Sequence, residues 1–89
     1  MHAVVVQVSI QDFERGREFL NNEVVPRVKQ APGFVAGYWA RTPDNHGRSM
    51  LVFESEESAQ AAKQMIESNN PDEAVTLDSV EVGEVVASA

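Results

Sequence analysis

Between Ala31 and Ser58 the chain reads as a helix end, a strand, a tight turn, a second strand and a helix start. Few folds accommodate that order of elements in so short a stretch. Ala31-Pro32-Gly33 stops a helix, because proline cannot continue it and glycine readily takes the left-handed conformation that closes one. Residues 34–41 then alternate as a strand. Phe34, Ala36, Tyr38 and Ala40 share one face, and Val35, Gly37, Trp39 and Arg41 share the other. The segment from Thr42 to Gly47 holds Pro43, Asp44 and Asn45, which are turn formers, and predicts a hairpin loop. Residues 48–54 return as a third strand. Ser55 is placed to cap a second helix, with Glu56 and Glu57 suited to its positive end.

The flanks complete the pattern. Residues 3–10 are rich in branched side chains and predict a first strand, with Val4, Val6, Val8 and Ile10 on one face. The opposite face starts with Ala3 and Val5 and turns polar at Gln7 and Ser9. Asp12 is a good N-cap for a helix from 13 to about 30, on which Phe13, Leu20, Val24 and Val28 share a face. Pro26 lies inside that helix, where it removes a backbone bond and costs about 3 kcal/mol in regular geometry. A kink is expected there, or two helical segments meeting near Val25-Pro26. Ala59, Ala62, Met65 and Ile66 form the apolar stripe of the second helix, and Asn69-Asn70-Pro71 should stop it. Residues 75–86 predict the last strand. Val75 and Leu77 are in one phase and Val80 and Val82 in the other, so a bulge is expected near Asp78-Ser79.

The order strand–helix–strand–strand–helix–strand over residues 1–89 predicts one ferredoxin-like α+β domain: a four-stranded antiparallel sheet with both helices on one face. The other face is also rich in apolar residues and has no element left to cover it. An exposed apolar sheet face implies a partner, and the simplest is a second copy packed sheet to sheet about a two-fold axis. Size points the same way. A chain of 89 residues buries only about 60–65% of its unfolded surface. With no cysteine and two histidines, neither a disulfide nor a structural metal is expected to compensate, and oligomerisation is the common remaining route.

Charge narrows the partners. The net charge of −7, from fourteen acids against seven bases, argues against nucleic acid and against anionic membranes. The lack of cysteine fits a reducing cytosol, and no targeting segment or membrane span is read from the sequence, so a cytoplasmic location is expected.

The chain resembles the dimeric α/β-barrel superfamily, in particular the small antibiotic-biosynthesis-monooxygenase-like domains. The resemblance spans nearly the whole chain. It is carried by the Val-rich strand and following helix, the Ala31-Pro-Gly-Phe34 lead-in to the second strand, the Leu51-Val-Phe-Glu54 strand, and the Ser55-Glu-Glu-Ser58 helix start. It implies a homodimer whose two sheets form a joint barrel, with a small pocket in each subunit between sheet and helices. Members include cofactor-independent monooxygenases acting on polycyclic aromatic substrates, and heme-degrading enzymes. Members of the family commonly carry a Trp where the second helix begins, and here that region reads Phe53-Glu-Ser-Glu56. The heme-degrading members resemble one another in an Asn on the first strand and a His on the second helix. Here the first strand offers Gln7, and the second helix has no His.

Five residues are candidates for the pocket. Tyr38 and Trp39 are adjacent on a strand, so one should face the helices and the other the dimer partner. An inward Trp39 would stack on a flat ligand, and the bland alternative is that both aromatics are core and interface anchors. Gly37 and Arg41 flank Trp39. Gly37 would leave space beside the indole, and Arg41 would pair with an anionic group at the pocket mouth; the alternatives are a barrel-corner glycine and a solvated arginine. Gln7 would bind a substrate carbonyl, or else a neighbouring side chain or water. His46 is read as a loop residue with no evident orienting carboxylate, and His2 likewise. No metal site, no cofactor site and no catalytic set emerges. Two functions follow. One is a cofactor-independent, monooxygenase-like protein acting on or binding a small aromatic, polyketide-type molecule. The other is a non-catalytic homodimeric module that binds a small molecule or serves as an interaction domain.

Overall fold

Pro26 shapes the helical side of the molecule. The computed structural model describes residues 1–68 and 75–89. In it, the helix expected over 13–30 is one continuous run in three parts: α1 (Phe13–Phe19), a π-helical turn (Leu20–Val24) and α2 (Val25–Lys29). The wider turn sits immediately before the proline. The Val25 N–H donates to the Leu20 carbonyl five residues back, so the backbone is already off the regular ladder where Pro26 has no N–H to give. Pro26 then occupies the first turn of α2, where a missing donor is harmless. Two segments meeting at Val25-Pro26 is what the sequence led one to expect. The π turn is the means, and it avoids the ring–carbonyl clash that proline imposes on a regular helix.

The other elements are β1 (His2–Ile10), β2 (Phe34–Thr42), β3 (His46–Phe53), α3 (Glu56–Ser68) and β4 (Val75–Glu84). The strands form one sheet in the order β2-β3-β1-β4, and every neighbouring pair is antiparallel. This is the expected ferredoxin-like α+β architecture. The predicted stop at Asn69-Asn70-Pro71 lies outside the described residues.

Asp12 caps α1 by accepting from the Arg15 N–H, as its position suggested. The hairpin between β2 and β3 is tighter than the loop expected over 42–47. Asn45 adopts a φ of 59°, and its N–H donates to the Thr42 carbonyl, so three residues suffice to reverse the chain. His46 and Gly47 therefore belong to β3, not to the loop.

The bulge in β4 falls where the phase switch placed it. Gln7 pairs with Ser79 and Val8 with Leu77, which leaves Asp78 as the extra residue. Its insertion brings Leu77, Val80 and Val82 onto the same sheet face, and all three pack against the core. That core is Val4, Val6, Leu51 and Phe53 from the sheet with Val28, Ala59 and Ala62 from the helices. Phe53 is 1% exposed and meets Phe34 edge-on, with centroids 5.7 Å apart.

Two features shape the rest. Alanines 59 and 62 let α3 lie close on β1, β3 and β4, whereas the α1–α2 run makes few close backbone approaches to the sheet. The opposite sheet face is open. Along its middle, Tyr38 pairs with Met50 and Met50 with Val5, and these are 75%, 48% and 41% exposed. No helix among the described residues is long and apolar enough to cross a membrane.

Candidate functional site

Because the first helical run stands off while α3 sits tight, a cavity of about 630 Å³ opens between that run and the sheet. The sheet contributes small residues here. Gly37, Gly47 and Ser49 sit at cavity-wall positions of β2 and β3. Val6, Val8, Leu51 and Trp39 make the apolar floor, and Phe13, Leu20, Val24 and Val28 come from above. The π turn supplies Leu20, Asn21 and Val24 together, with the Asn21 amide donating to the Arg17 carbonyl. Widened helical turns of this kind are frequent at functional sites.

Trp39 is the inward aromatic. It is partly buried and packs on the core, while Tyr38 beside it turns its side chain to the open face, although it too borders the cavity. Gly37 has a definite reason to be glycine. A Cβ there would lie 3.1 Å from Leu51, 3.2 Å from the Trp39 ring and 3.3 Å from Phe34. The space beside the indole is thus occupied by the indole's own edge, and Gly37 lets that ring settle low over the sheet. Arg41, two residues on and on the same face, lies over the Phe13 ring with its guanidinium carbon 3.8 Å from the centroid. Such a stack fixes the plane of the cation and leaves its N–H edge free. Gln7 sits elsewhere, on the open face between Arg48 and Ser79. Of the five candidates, Gly37, Trp39 and Arg41 gather in one wall, Tyr38 lies at its border, and Gln7 is separate.

A second polar group forms where the open face meets the hairpin. The Thr42 hydroxyl lies between the Asp44 carboxylate and the Arg48 guanidinium. His46 Nδ1 is 3.2 Å from Asp44 Oδ2, and its Nε2 is 3.8 Å from Asp78 Oδ2. Ser9 donates to Asp78 at 2.7 Å. The hydrogen bond from Thr42 does most to hold the Asp44 carboxyl well below the usual carboxylate range, against desolvation and with help from Arg48 and His46. Sequence reasoning missed this cluster because His46 was read as a loop residue without a carboxylate. The available signal was the β4 phase switch, since the bulge at Asp78 is what brings the second carboxylate to the histidine. His2 is placed apart, with Nε2 3.3 Å from Glu56 at the start of α3. Among the described residues no group of three or more His, Cys, Asp or Glu is arranged to hold a metal ion.

Comparison with solved structures decides the architecture. The heme-degrader MhuD from Mycobacterium tuberculosis, determined with two hemes bound in its active site, matches with a TM-score of 0.69 over 100% of this chain and 99% of that chain. The fold is ferredoxin-like α+β and is shared with MhuD. Sequence identity to MhuD is 18%, so the likeness is one of fold. No family model and no curated protein matches the chain.

Proposed function

We propose that this chain is a homodimeric small-molecule-binding protein whose sheet–helix cavity takes one flat, apolar aromatic molecule. The observation that carries the reading is the cavity of about 630 Å³ with Trp39 in its wall, a volume suited to a small organic ligand. The protein supplies shape, exclusion of water and an indole face for stacking. The second copy covers the open row of Tyr38, Met50 and Val5 and closes the two sheets into a barrel.

A second reading is turnover in the manner of cofactor-independent monooxygenases. It is favoured by the shared fold with the heme-degrader MhuD. In that reading an electron-rich substrate itself reduces dioxygen, one oxygen atom entering the product and the other leaving as water. Among the described wall residues the ionisable side chains are arginines and Tyr38, which provide no general base titrating near neutral pH. Simple binding is therefore the better-supported function.

Heme is a poor fit to these residues. Protein-bound heme iron is held by His, Cys or Tyr, or by Met paired with His. The chain has no Cys, and its two histidines are outside the cavity wall. The Tyr38 side chain turns to the open face, leaving Met65 without a histidine partner.

Calorimetric titration of a set of tricyclic quinones and quinols tests the reading. Binding with micromolar affinity is expected, weakened about three- to tenfold by Trp39→Ala, the range of an aromatic contact. Absence of binding by every member at millimolar concentration would refute it.

A further inference from the structure

Charge is distributed unevenly around the cavity. Over the chain, acids outnumber bases fourteen to seven. In the cavity wall the ratio is reversed: Arg17, Arg27, Arg41 and Arg48 line it, and no Asp or Glu does among the described residues. Arg48 borders this space from the open face beside Gln7, so three of the seven bases of an acidic protein, Arg17, Arg27 and Arg41, stand over one apolar cavity. Each has a different local situation. Arg48 is already engaged, by Thr42 and by Asp44 at 3.5 Å. Arg17 shares a small cleft with Glu14 and Glu18 on its own helix. Arg27 stands in the last turn of α2, where a cation also complements the helix dipole. Arg41 is the informative one. It is held against the Phe13 ring, and no carboxylate of the described residues pairs with it.

We propose that the molecule bound in this cavity is an anion, a flat aromatic acid whose carboxylate or equivalent group is received by Arg41 while its rings lie on Trp39. This rests on the binding function proposed above and specifies the chemical class of its ligand. The geometry suits such a molecule. Trp39 and Arg41 are two residues apart on one strand face, a spacing of about 7 Å, the reach from a stacked ring to an acidic substituent. The Phe13 stack keeps the guanidinium plane fixed, so less freedom is lost when its N–H fork grips a carboxylate in bidentate fashion. Arg27 adds a second cation to the same wall, which favours an anion over a cation there.

The test compares two ligands that differ only in charge, anthraquinone-2-carboxylate and anthraquinone-2-carboxamide, by calorimetric titration of the intact protein. The acid should bind at least about tenfold tighter than the amide, the scale of a charge-assisted pair. Added salt should narrow that gap. Arg41→Gln should reduce the preference to about two- to threefold. Circular dichroism confirms that the variant is folded, and the salt series on the unmodified protein stands by itself if it is not. Equal affinity for acid and amide, or a preference unchanged by both salt and Arg41→Gln, overturns this proposal while sparing the cavity as a binding site. Failure of both ligands to bind overturns both.

Discussion

Replacing Gly33 with Ala isolates the joint between the first helical run and β2. Gly33 has φ of 76°, a region an L-residue enters at a cost of about 1–2 kcal/mol. A Cβ there would also lie 2.6 Å from the Ser58 hydroxyl oxygen and 3.1 Å from the Ser58 Cβ. The hydroxyl can rotate away only by giving up its 3.1 Å bond with Ser55, and the carbon contact needs a backbone shift of a few tenths of an ångström. Crowding of this kind costs about 1–3 kcal/mol. The backbone cannot yield freely, because the Gly33 carbonyl accepts from the Glu54 N–H at 2.8 Å. Together the two terms predict a loss of about 2–5 kcal/mol, a large share of the roughly 4–13 kcal/mol expected for a domain of this size. Urea unfolding followed by Trp39 fluorescence should show a lower midpoint with an unchanged slope. Ser58→Gly removes the obstructing side chain at a cost of about 0.5–1 kcal/mol in helix propensity. The double variant should therefore recover about 1–3 kcal/mol relative to additivity, leaving the φ cost alone. A Gly33→Ala variant losing less than about 0.5 kcal/mol, or a double variant with no coupling, refutes the close approach between this turn and α3.

Asp44 and Met50 provide two further tests. The Asp44 carboxyl is depressed below its ordinary value of 3.8, so its stabilising effect is present above about pH 4 and is lost as pH falls below that. Thermal melts should show the wild type losing stability more steeply than Asp44→Asn on acidification below pH 4, and equal slopes would refute the depression. The effect should be small, because the carboxylate is exposed. Met50 lies at the centre of the open apolar row, so Met50→Glu should convert a dimer to a monomer in sedimentation equilibrium at micromolar concentration. A monomeric wild type, or a variant that remains dimeric, refutes the sheet-to-sheet dimer.

Element order, the Asp12 cap, the break before Pro26 and the bulge at Asp78 were all legible from local chemistry. Each depends on residues close in sequence: a side-chain acceptor before a helix, a ring without an N–H, a change of phase in a strand. Strand alternation also implied that Tyr38 and Trp39 face opposite ways. It could not say which faces inward, because that depends on register with β3, where Gly37 lies opposite Leu51 and Trp39 opposite Ser49. The sheet brought Asp78 to His46 across 32 positions of chain, a pairing that depends on which strands lie side by side as well as on the bulge. The cavity itself was decided by tertiary packing. Ala59 and Ala62 draw α3 onto the sheet, and the run carrying the π turn is held further off, leaving a volume that composition does not specify. The same packing selects arginines and none of the described acids for its wall. Sequence alone determined the fold, since the fold follows from the periodicity and punctuation of neighbouring residues. Only the folded chain determined the charge that its cavity presents, because that depends on which distant side chains are brought to share one space.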